Sequence, residues 1–138
     1  MPVPIEELVK RSQHLTGSSR LINSEVFPIQ PVAAKHSVAT PREFGLTGRG
    51  LTLDAISQAA LRLGLFLGNP YDAVQFVEEG RWDGYTEIAA PGQIGIETRN
   101  GLVNRYVAWL RGFGGQHHID VKLLGHWTDS DHILIVQP

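Results

Sequence analysis

Two histidine-bearing clusters hold the residue types that could do chemistry. The first is Lys35-His36, in a proline-rich segment whose local basic group is completed by Arg42 and Arg49. Cations around an imidazole disfavour its charged form and leave it able to act as a base near neutrality, while the same cations could hold a phosphate. A solvated loop accounts for these four residues equally well without any activity. The second cluster comprises His117, His118, Asp120, His126, Asp129, Asp131 and His132. Nitrogen and oxygen ligands of these types suit zinc or another divalent ion. Strand alternation, however, separates His117 from His118 and Asp120, and no HExxH-like spacing occurs. A water-facing strand with an Asp-rich turn explains the same residues, so no metal and no cofactor is expected. Asp120-Val121-Lys122 fits the D-x-K half of a metal-dependent nuclease pattern, but its partner acid is missing.

Trp82, Tyr85, Tyr106 and Trp109 could line a cleft or stack bases, although strand aromatics also serve as core. The stretch Gly45-Leu46-Thr47-Gly48-Arg49-Gly50 is glycine-rich, yet it lacks the Lys-Ser/Thr ending of a phosphate loop. Ser18 and Ser19 have no elbow motif around them, so nucleophilic hydrolysis finds no support.

The elements that must position these residues follow from periodicity. Acids precede bases in Ile5-Glu6-Glu7-Leu8-Val9-Lys10-Arg11, which predicts a helix over about 4–16. Residues 18–50 show no sustained period and contain Pro28, Pro31 and Pro41; they read as a long loop or arm with a short strand near Val26–Ile29. A connection of this length is unusual in a compact domain unless it is functional or flexible. Leu53, Ile56, Ala60, Leu63 and Leu67 form one stripe, giving an amphipathic helix capped by Thr52 and stopped by Gly68-Asn69-Pro70. Residues 70–80 carry both helical and strand signals, and the asparagine cap with proline at the first position favours a short helix. Strands are expected at 81–89, 93–98, 102–110, 117–127 and 132–137. Asn100-Gly101 supplies a type I′ hairpin, since both residue types tolerate positive φ. Gly112 to Gly115 supplies a second turn. The fold class is therefore α+β: an N-terminal helix and one amphipathic central helix packed on an antiparallel sheet of four to five strands, in one domain over 1–138.

Composition narrows the function classes. The chain has 138 residues, 42% of them hydrophobic and 19% charged, which excludes wholesale disorder. No apolar run approaches a membrane span, so no membrane partner is expected. Zero cysteines remove disulfide and thiol chemistry. The N-terminus puts charges where a secretory signal needs an apolar core, consistent with a cytoplasmic protein or one delivered without a visible signal peptide. Net charge is −2, with a basic excess in residues 1–50 and an acidic excess in 51–138.

Lys35-His36 followed by Phe44-Gly45-Leu46, a helix, and a strand meander with a late tryptophan resembles the nuclease domain of colicin D and related bacterial toxin ribonucleases. The likeness covers roughly residues 35–110. It departs from the family in the longer gap from His36 to Phe44, in Val107 where a serine would precede the tryptophan, and in the acidic balance. The resemblance implies metal-independent cleavage of RNA, with transfer RNA as the substrate class. It implies His36 as the acid–base residue, Lys35 as electrostatic stabiliser, and an immunity-type protein as partner. Arg42, Arg49, Trp109 and Tyr85 would then contact the substrate. Two other readings stand beside it: a small-molecule enzyme or binding protein with an aromatic-lined cleft, and a protein–protein interaction module.

Overall fold

The computed structural model describes residues 3–113 and 115–137. Helix α1 spans Ile5–Arg11 and buries Ile5 and Val9. Helix α2 spans Leu53–Arg62, and its Thr52 hydroxyl accepts the Ala55 N–H at 3.1 Å. The expected continuation to residue 67 does not occur. Gly64 takes a φ of +73°, and the Leu63, Gly64 and Leu65 N–H groups fold back onto the carbonyls of Ala60 and Leu61. Gly64 thus acts as a left-handed stop before any proline is reached. Helix α3, Pro70–Glu78, opens with Asn69 and Asp72 in a reciprocal capping box and with proline at its start.

Seven strands form one mixed sheet: β1 Thr16–Gly17, β2 Lys35–Ala39, β3 Phe66–Leu67, β4 Ile88–Arg99, β5 Leu102–Phe113, β6 Gln116–Leu123 and β7 His132–Gln137. Their order is β1-β6-β5-β4-β7-β2, with β3 also paired to β7. The sheet is larger than the expected four to five strands and is not purely antiparallel, because β1 runs parallel to β6 and β4 parallel to β7. Most of the difference comes from β7. Sequence order suggests that it returns beside β6; instead it crosses to lie between β4 and β2. Ile133, Leu134, Ile135 and Val136 are all buried there, as a strand covered on both faces requires.

The stretch 18–50 holds β2, paired residue for residue with β7, and a 3-10 turn at Pro41–Phe44. No strand forms at 26–29; Phe27 is fully buried and its carbonyl accepts the Tyr71 hydroxyl at 2.6 Å. Residues 81–87 are a loop rather than a strand. Asp83 accepts the Tyr85 and Thr86 N–H groups and the Thr86 hydroxyl, an arrangement that holds a turn. The Asn100-Gly101 hairpin forms as expected, with φ of +53° and +76°. The turn after Gly112 falls partly outside the described residues.

Strand alternation divides the core in two. On one face, Ile88, Ala90, Ala108, Leu110, Ile119 and Leu134 meet α1 and α3. On the other, Ala89, Val107, Ile133 and Ile135 meet Ile56 of α2 and Trp127. Helices therefore lie on both faces of the sheet. Among the described residues, no helix is long and apolar enough to cross a membrane.

Candidate functional site

His36 is not a loop residue. It is the second residue of β2, where its side chain turns toward α3 and is 3% exposed. Its Nε2 lies 2.9 Å from Asp72 Oδ1 and its Nδ1 lies 3.2 Å from Glu79 Oε1. The two carboxylates flank the helix seven positions apart, a spacing that returns to the same helix face after two turns. A doubly protonated ring donates to both. Either neutral tautomer would leave a nitrogen lone pair facing a carboxylate oxygen.

Asp72 is 2% exposed and accepts two further bonds, from the Ala33 N–H at 2.8 Å and the Asn69 N–H at 3.0 Å. One carboxylate thus ties β2, the segment before it and the start of α3 together. Arg81 donates to the His36 carbonyl and lies 3.9 Å from Glu79. A general base must reach the proton that it removes. Here both ring nitrogens are turned to carboxylates of the chain itself, buried Asp72 and partly open Glu79, so His36 is a clamp between β2 and α3.

The other sequence-selected residues do not gather around it. Lys35 adjoins His36 on the strand and so projects to the opposite face. Arg42 sits in the 3-10 turn, 3.0 Å from Asp129 Oδ1. The Gly48 N–H reaches Asp129 Oδ2, and this bond followed by Arg42 holds the Asp129 carboxyl below its usual range. Arg49 is exposed in the glycine-rich loop. Tyr85 is 84% exposed at the tip of the 81–87 loop. Trp109 lies on the α2 face of the sheet, away from His36, with its ring stacked on Trp127 at 5.3 Å. The histidine-rich cluster is dispersed as well: β-pairing puts His118 and Asp120 beside Arg111 and Trp109, whereas His132 pairs with Ile88 on the other face.

Two of the concavities among the described residues combine an apolar wall with charged side chains. The larger, about 530 Å³, lies between residues 31–34 and β3, with Asn69, Asp72 and Val136 completing its wall. Val32 and Phe66 leave 45% and 47% of their surface open there. The smaller, about 230 Å³, lies against Trp109 and Trp127. Sequence reasoning missed Asp72 and Glu79, although their seven-residue spacing on a capped helix was readable. Trp127 carried no signal, because its stacking on Trp109 depends on a loop folding back across the sheet. No family model, no curated protein and no solved structure matched the chain.

Proposed function

We propose that the chain is a small-molecule binding protein whose ligand occupies the 530 Å³ groove between residues 31–34 and β3. One observation carries this reading: an apolar groove of that size has a single buried carboxylate in its wall, Asp72, held rigid by His36. Sites for small organic ligands are commonly about 300–1,000 Å³, mostly apolar, with a few fixed polar groups. His36, Ala33 and Asn69 fill three of the roughly four acceptor positions of a carboxylate, leaving one for a ligand donor. Asp72 is the one charged residue among those that line the groove, which favours an amine over an acid. The ligand class is therefore an apolar body with an amine or N–H head.

The test uses 1-naphthylmethylamine, followed by its own fluorescence, against wild type and Val32→Lys. Binding to wild type, weakened at least about tenfold by a cation placed in the wall, supports the reading. Equal affinity for 1-naphthaleneacetate, or an unchanged affinity in Val32→Lys, contradicts it. Incubation with total transfer RNA separates the ribonuclease reading. Fragments that form with wild type and survive chelator would replace the binding assignment with nuclease activity.

A further inference from the structure

The smaller cleft lies on the opposite face of the sheet from His36 and has a different chemistry. Its lining comes from β5, β6 and the loop before β7: Trp109, Lys122, His126, Trp127 and Asp131 are the residues that matter. The stacked tryptophans make an apolar wall, their planes 16° apart. The Lys122 ammonium sits 4.2 Å from the Trp109 ring centre and 3.8 Å from Glu87 Oε1. That second contact is long, at the edge of an ion pair, and its carboxylate is already bonded by Arg111 at 2.7 Å. Lys122 can therefore turn to another anion at little cost.

Opposite in charge, Asp131 lines the same cleft, with Oδ2 accepting the Thr128 N–H at 2.8 Å. The Trp127 indole N–H is buried and has no hydrogen-bond partner among the described residues. A buried donor left unpaired costs about 1–3 kcal/mol, so an acceptor that reached it would be held there.

We propose that this cleft is a second binding site, for a free amino acid with an apolar or aromatic side chain. The carboxylate of such a zwitterion pairs with Lys122 and accepts from the Trp127 indole, its ammonium faces Asp131, and its side chain lies along the tryptophans. A volume near 230 Å³ suits one such molecule. A purely anionic ligand would face Asp131, and a purely cationic one would face Lys122. Only a ligand with both charges answers both residues.

The experiment titrates the full chain with phenylalanine, phenethylamine and 3-phenylpropionate, reading the indole ¹⁵N–¹H signals, which Trp127→Phe assigns. Phenylalanine is expected to shift the Trp127 signal and to bind at least about tenfold more tightly than either singly charged analogue. Lys122→Gln should reduce phenylalanine to the level of phenethylamine, and Asp131→Asn should reduce it to that of 3-phenylpropionate, with Lys122→Arg retaining binding. No movement of the Trp127 signal, or equal affinity for a singly charged analogue, overturns the proposal. These outcomes are independent of the groove, because Val32→Lys leaves this cleft untouched.

Discussion

Replacing His36 with alanine should cost much of the stability of the protein. The side chain is fully buried and both ring nitrogens end on carboxylates. Hydrogen bonds to charged groups contribute about 1.5–3 kcal/mol each, but the Glu79 end is partly open to solvent and counts for less. Asp72 would keep its Ala33 and Asn69 bonds while losing the His36 Nε2 contact in a site that is 2% exposed. Breaking one side of a buried pair typically costs 3–5 kcal/mol. With the retained bonds allowed for, about 3 kcal/mol is expected. Unfolding entropy near 2.1 cal/mol/K per residue gives roughly 0.29 kcal/mol/K for a chain of this length, so Tm should fall by about 10 °C. Thermal melts of wild type, His36→Ala, Asp72→Asn and the double variant measure it, and the coupling between the two sites should be at least about 1 kcal/mol. A fall below about 2 °C, or additive single effects, would refute the clamp.

Three further outcomes follow from local geometry. Gly101 has a φ of +76° and open space around its α-carbon, so Gly101→Val should cost about 1–3 kcal/mol through backbone strain alone, read as a lower denaturation midpoint. A methyl group on Gly112 would stand 1.7 Å from the Gly84 carbonyl oxygen, so Gly112→Ala should push away the 81–87 loop and cost about 1–3 kcal/mol, whereas Gly125→Ala, with nothing nearby, should be neutral. Burial pushes the Asp120 carboxyl up, but the Val121 N–H, Arg111 and Ser18 together hold it below its ordinary 3.8. A depressed carboxyl stabilises the fold above its unfolded value and loses that contribution as pH falls through the folded one. The stability gap between wild type and Asp120→Asn in urea melts should therefore be present at neutral pH and shrink as pH drops below 3.8.

Local grammar was legible where the physics is local. The caps at Thr52 and Asn69, the proline start of α3 and the Asn100-Gly101 turn each depend on residues within four positions of one another. What could not be read is long-range pairing. Ile133 to Val136 look the same in sequence whether β7 returns beside β6 or crosses to β4 and β2. That crossing creates the partner which makes Lys35–Ala39 a strand, and it turns His36 inward. Prolines at 28, 31 and 41 correctly marked breaks, yet they left room for five paired residues between them. The residues chosen for chemistry were grouped by proximity in the chain and by resemblance. Strand alternation then sent Lys35 and His36 to opposite faces, and sheet order set Trp109 on the face away from His36.

The central claim is that the groove bordered by residues 31–34 and β3 is a ligand site. A ¹⁵N–¹H titration of the full chain with 1-naphthylmethylamine tests it most directly. Saturable shifts should concentrate on Val32, Ala33, Phe66, Leu67, Asn69 and Val136, the residues that wall the groove, and Asp72 should move with them. Shifts absent from those positions, or centred instead on Trp109 and Trp127, would contradict the account.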